Sequence, residues 1–225
     1  MERRHFLLSS IFSLGLISQR AFSSTTKTSL SFNVILNEEI VGYSNLTHRK
    51  LKNGLEVVID VEIVPKFLGL KFMKYTLKNR EVWKNKELIS IDANSSWFGK
   101  KYFVKGQRED SNFSVQGSAF SGIIKDKFAT TSYFTPDFLK RRVWLSTQDG
   151  TPLEIKTRKL KNKKMLFNDK NYSVREWEIT GDLELTLQYD EQNNWVGSGF
   201  TVGNYPARFT LNDRKNNIHK LWKTT

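Results

Sequence analysis

The chain has 225 residues, with 36 Lys+Arg against 23 Asp+Glu, a formal charge of +13, 38% apolar residues and 13% aromatics. This composition excludes a collagen-like, low-complexity or acidic disordered chain. The lack of cysteine excludes disulfides, thiolate metal sites, iron–sulfur clusters and cysteine nucleophiles, and three histidines leave little room for histidine-based catalysis.

Residues 1–23 read as an export signal. Arg3, Arg4 and His5 form a charged start, Leu7 to Ile17 an apolar stretch, and Ala21-Phe22-Ser23 a cleavage site that leaves Ser24 first. The apolar stretch is shorter than the about 20 residues a bilayer span needs, and no later run approaches that length. The expectation is a periplasmic or otherwise exported bacterial protein, soluble or peripheral after cleavage. Arg3-Arg4 followed by Phe6-Leu7 is similar to a twin-arginine leader, and Arg20 fits that route. Glu2 and Leu8 depart from it, so an ordinary Sec signal and a mitochondrial presequence stand as rival readings.

The rest of the chain alternates with period two, the signature of half-buried strands. Strands are expected at Ser31 to Leu36 and Ile40 to Leu51, with Glu38-Glu39 turning between them. Asn53-Gly54, a hairpin turn signal, leads into Leu55 to Val64, which Pro65 stops. Leu70 to Trp83 follows, with Met73, Tyr75 and Leu77 on one face, then the turn Lys84-Asn85-Lys86 and the strand Leu88 to Ala93. Trp97 to Lys105 and Phe113 to Gly117 come next. Residues 118–142 are irregular, with a short helix expected from Pro136 to Arg141. Further strands are Val143 to Leu145, Leu153 to Leu160, Met165 to Phe167, Tyr172 to Thr180, Leu183 to Tyr189, Trp195 to Val202 and Tyr205 to Leu211. The prediction is all-β: an antiparallel meander of roughly ten to twelve strands, curled into a barrel or half-barrel, with little helix apart from the leader. Residues 24–211 form one domain, and residues 212–225 a basic polar tail whose end is expected to fray.

Several segments carry a family resemblance. They are residues 80–94 (REVWKNKELISIDAN), residues 131–136 (TSYFTP), and Gly181-Asp182-Leu183 through Gln188-Tyr189-Asp190 to Trp195-Val196-Gly197 and Phe200. With Phe32-Asn33-Val34 and Val41-Gly42, the chain resembles an uncharacterised family of exported bacterial proteins, a domain of unknown function often preceded by a twin-arginine-like leader. The resemblance covers about residues 30–211 and departs from the family pattern at Phe134 and Thr135. It implies a β-rich exported domain and brings no activity, cofactor or catalytic residue. Periplasmic lipid-carrier half-barrels are similar in strand pattern, by fold-level analogy.

The sequence holds no nucleophile elbow, His-Glu-x-x-His, phosphate-binding glycine loop or calcium loop. His48 sits beside Arg49 and Lys50, and His219 in the tail; Glu38-Glu39 and Glu109-Asp110 read as solvated turns. The chain is therefore read as a non-enzyme without cofactor or metal. The basic runs Arg158 to Lys164 and Lys140-Arg141-Arg142 read as solvated hairpin tips, with weak attraction to an anionic membrane surface as the alternative. Export argues against nucleic acid as a partner. The aromatic excess reads first as core, and second as the lining of a pocket. On that second reading Tyr133, Phe134, Trp83 and Trp195 make apolar and stacking contacts to a ligand. Ser132 gives a hydrogen bond, and residues 131–136 act as a lid. The leading function is thus non-catalytic binding of an apolar or amphipathic small ligand of the cell envelope in the concavity of the sheet. The alternatives are a structural or protein-interaction component of the envelope with a filled core, and a hydrolase with an unrecognised site.

Overall fold

The computed structural model describes residues 27–65, 74–125, 127–167 and 170–224. The export signal expected at residues 1–23, and the start of the strand expected from Leu70, lie outside the described residues. The first half of the chain is a run of hairpins: β1 (Lys27–Leu36), β2 (Glu39–Leu51), β3 (Gly54–Ile63), β4 (Tyr75–Lys84), β5 (Glu87–Trp97), β6 (Lys100–Glu109), β7 (Asn112–Gly117) and β8 (Ser121–Ile124). Next come β9 (Ala129–Thr130), a 3-10 helix at Pro136–Lys140, β10 (Val143–Leu145), β11 (Pro152–Lys159) and β12 (Lys163–Phe167). The chain then runs through β13 (Lys170–Gly181), β14 (Leu185–Asp190), β15 (Trp195–Val202), β16 (Tyr205–Lys215) and the one-turn helix α1 (Ile218–Trp222).

All sixteen strands among the described residues belong to one sheet, ordered β8-β7-β6-β5-β4-β3-β2-β1-β16-β15-β14-β13-β11-β10-β9, with β12 paired to β13 beside β11. The fold is the all-β curled meander expected from the period-two pattern, with more strands than the roughly ten to twelve counted from sequence. Left-handed residues set the tight turns: Asn37 and Glu38, Asn85 and Lys86, and Phe98 with Gly99 all have positive φ, as the two-residue hairpin turn requires. The turn at Phe98-Gly99 corrects the expected strand Trp97 to Lys105: Trp97 closes β5, and β6 begins at Lys100.

Pairing of β1 with β16, Phe32 opposite Leu211, brings the two halves together. The sheet curls without closing. Its end strands β8 and β9 are consecutive in sequence, and loops span the seam near them. There the Ala119 amide donates to the Asp149 carbonyl at 3.0 Å, and Ser95 Oγ to the Gln148 carbonyl at 3.1 Å.

Side chains of one pleat fill the concave face. One row runs Thr28, His48, Val57, Glu81, Ile91, Gly106 and Val115 across β1 to β7. Gly106 is required there for space: a Cβ would stand 2.5 Å from the Phe113 ring and 3.0 Å from Ile91. Gly106→Ala is expected to destabilise the fold by about 1–3 kcal/mol through overpacking. Urea unfolding checks this; an unchanged midpoint would mean that the Phe113 ring turns aside at no cost.

The expectation for residues 212–225 is corrected. β16 continues to Lys215, and α1 buries Trp222 to 1% exposure. The polar composition of this stretch hides Leu221 and Trp222, whose burial favours a seated helix.

Candidate functional site

Residues 131–140 do not arch over the mouth of the sheet. They pass through its interior as a plug, with Ser132, Phe134, Thr135 and Phe138 all buried. Tyr133 adopts a left-handed backbone (φ 57°) at the bend, and the Tyr189 hydroxyl donates to its carbonyl at 2.9 Å. Thr135 caps the 3-10 helix by accepting the Asp137 amide, and Pro136 supplies its fixed φ at the first position.

The five residues singled out from sequence do come together, in two groups around this plug. Trp83 and Phe134 meet edge to face at 5.8 Å, with Phe138 and Trp222 completing the cluster. Tyr133 and Trp195 meet at 5.8 Å on the other side. Ser132 lies behind the first group and donates to Glu81 at 3.2 Å. All but Tyr133 are fully packed, and none lines any of the three clefts described below.

Glu81, which sequence reasoning passed over, is the polar centre of the interior. It is fully buried and accepts hydrogen bonds from Asn79 Nδ2 and Trp83 Nε1, each at 2.8 Å, as well as from Ser132. Thr130 joins through its hydroxyl, 2.6 Å from that of Ser132. Burial pushes the Glu81 carboxyl above its ordinary range, against the opposing pull of these donors. The signal for it was present in the sequence. The period-two face holding Tyr75 and Leu77 continues through Asn79, Glu81 and Trp83.

Two adjoining clefts flank the 3-10 helix. One cleft of about 550 Å³ is lined by Lys127, Lys140, Arg141, Arg142 and Lys156 together with Glu154 and Asp182. A second, of about 200 Å³, has Phe128, Phe138 and Trp222 as its apolar lining and Lys86, Lys140 and Arg141 as its cations. The two share Lys140 and Arg141, and so flank the same helix. Asp137 in the second cleft pairs with Lys86 at 3.2 Å and Lys140 at 3.3 Å and accepts Trp222 Nε1 at 2.8 Å. Burial alone would raise its pKa; the bonds from Trp222, Lys86 and Lys140 outweigh that and hold it down to about 2. Lys127 reaches Glu87 only at 3.9 Å. Arg141, Arg142 and Lys156 have no carboxylate partner within 4.0 Å among the described residues. A third depression, across the outer face of β4 to β7, is polar and mixed in charge, with Arg80, Asp92 and Lys105.

The run Lys140-Arg141-Arg142 was visible in the sequence as a basic patch. Its convergence with Lys86, Lys127 and Lys156, from three other segments, is a product of the fold alone. The arrangement can hold an anion beside an apolar wall. Among the described residues, no helix is long and apolar enough to cross a membrane.

The model of the family described as domain of unknown function DUF6134 matches residues 32–212, nearly the span on which the sequence resemblance rests. The chain is similar in structure to a β-barrel-like protein of domain of unknown function DUF1849 from Brucella abortus. The TM-score is 0.61 at 6% identity, over 84% of this chain and 97% of that one, a likeness of fold alone. No curated protein matches the chain.

Proposed function

The chain belongs to the family DUF6134, a domain of unknown function, and for it we propose an exported, non-catalytic binding protein for an amphipathic anion. The anionic group lies among Lys140, Arg141, Arg142 and Lys156, and the apolar part against Phe128, Phe138 and Trp222. One observation carries this reading: unpaired cations line a cleft that adjoins, around the same helix, a second cleft with Phe128, Phe138 and Trp222 in its wall. Cations that a fold leaves unpaired at a concave site favour an anionic occupant and raise its local concentration. The packed interior supports placing the ligand in these clefts and not within the concavity of the sheet.

Decyl phosphate, below its micellar concentration, is a suitable probe. Titration calorimetry on the mature protein is expected to show saturable binding. The double variant Arg141→Ala, Arg142→Ala is expected to weaken it by at least about tenfold, at about 1 kcal/mol per basic residue facing an anionic ligand surface. Equal affinity in the double variant would remove the cleft as the site. A second reading, a protein-interaction component of the envelope, draws on the exposed Ile123 of end strand β8 and Leu166 of β12. Native mass spectrometry on protein from the exported fraction separates the two. A bound species of a few hundred daltons supports the carrier, and a clean apo mass supports the interaction protein.

A further inference from the structure

Trp222 occupies an unusual position for a core residue. Its indole packs edge to face on Trp83 at 5.5 Å, Phe134 at 5.2 Å and Phe138 at 6.0 Å. The other three belong to elements locked in place. Trp83 lies in β4, hydrogen-bonded to strands on both sides, while Phe134 and Phe138 belong to the interior plug. Trp222 is carried by α1, a single helical turn that pairs with no strand. A helix of that length has little stability of its own in water, so its seat depends on what the side chains gain there.

The burial of Leu221 and Trp222 and several side-chain hydrogen bonds seat α1. The His219 amide donates to Asn194 Oδ1 at 3.2 Å, Asn217 Nδ2 to Gln192 Oε1 at 3.1 Å, and Trp222 Nε1 to Asp137. Against them stands a buried His219 Nδ1 with no hydrogen-bond partner, at a cost to the seated helix. The cleft beside the indole carries Lys86, Lys140 and Arg141 as its cations. If Trp222 leaves, Asp137 keeps both lysines, so no buried carboxylate is stranded. The about 200 Å³ cleft opens directly onto the indole.

We infer that the seat of Trp222 is the subsite for the hydrocarbon part of the ligand, and that α1 fills it as an internal substitute which the ligand displaces. The inference rests on the amphipathic-anion reading and deepens it: the ligand class is a single-chain alkyl or isoprenyl anion, such as an alkyl phosphate. Its chain takes the place of the indole on Trp83, Phe134 and Phe138. Its head meets Lys140 and Arg141, the cations that the two clefts share. A ligand that must compete with a seated side chain binds with an affinity reduced by the fraction of open protein.

The test uses the full mature chain labelled with 5-fluorotryptophan, whose six tryptophans give six fluorine resonances, assigned by single Trp→Phe variants. On titration with decyl phosphate, the Trp222 resonance is expected to move to the position of solvent-exposed fluorotryptophan while that of Trp144 stays in place. Trp222→Ala is expected to bind decyl phosphate at least about tenfold more tightly than wild type. The wild-type spectrum keeps the test valid should that variant fail to fold. Calorimetric binding with an unmoved Trp222 resonance, or with Trp222→Ala no tighter than wild type, overturns the displacement and leaves the cationic cleft standing. No binding to wild type or to Trp222→Ala overturns both readings.

Discussion

Trp83→Ala is expected to cost the fold about 3–5 kcal/mol, the range for removing a large buried aromatic without full collapse of the cavity. Trp83 has no exposed surface and stands at the centre of the ring cluster, 5.0 Å from Phe138, 5.5 Å from Trp222 and 5.8 Å from Phe134. Its loss removes apolar contact and also one of the hydrogen bonds that hold the buried Glu81. Trp83→Phe separates the two effects. It keeps most of the ring contact and loses only the indole donor, for which about 1–3 kcal/mol is expected. Urea unfolding followed by fluorescence reads both. If the alanine variant loses less than the phenylalanine variant, the cluster is not what holds the plug. The residue was singled out from sequence as a ligand contact; its surroundings are those of a core residue on which the plug and α1 are both seated.

The sheet was legible because one face of each strand is buried and the other wet, which writes a period of two into the sequence. Val57, Ile59 and Val61 on β3, and Leu77 through Trp83 on β4, show it directly. Boundaries failed where the turn lacked its usual residues. Phe98-Gly99 holds two positive φ angles, as Asn85-Lys86 does, but puts a large aromatic in the first position, so the chain reads as continuous strand there. The pairing of β1 with β16 was not legible, since nothing local distinguishes that partner from any other antiparallel strand. The same holds for the site. A basic run at residues 140–142 is visible as charge, but its meeting with Lys86 and Lys127 is made by long-range closure. Trp222 was read with the other tryptophans as core, but the helix that carries it was not, because a short helix with one buried face has too few residues to show a period.

His48→Leu is expected to stabilise the protein and to flatten its loss of stability in acid. His48 is completely buried, its ring lies edge-on to Phe134 at 5.2 Å, and neither ring nitrogen has a hydrogen-bond partner. Burial lowers its pKa from 6.5 to about 3. The folded state therefore binds fewer protons than the unfolded state between these values, and stability rises with pH across that window. As pH falls below 6.5, wild type should lose about 1.4 kcal/mol per unit through this group, reaching roughly 5 kcal/mol near pH 3. The leucine variant has no such term. At neutral pH it should gain about 1–3 kcal/mol from the removal of two unpartnered buried nitrogens. Glu81 sits in the same row two strands away, about 10 Å by strand spacing, and works in the opposite direction. Its raised pKa contributes stability that is complete below 4.5 and is lost as pH rises through the folded value. His219, also lowered by its burial and then by Lys223, adds to the acid slope of both proteins equally. The difference between the two unfolding free energies, measured in urea at half-unit steps from pH 7 to 3.5, cancels both neighbours and isolates His48. A difference that widens steadily below pH 6.5 shows the imidazole held neutral by the fold. Parallel curves would mean that water or a rearranged side chain reaches the ring and lets it take up its proton in place.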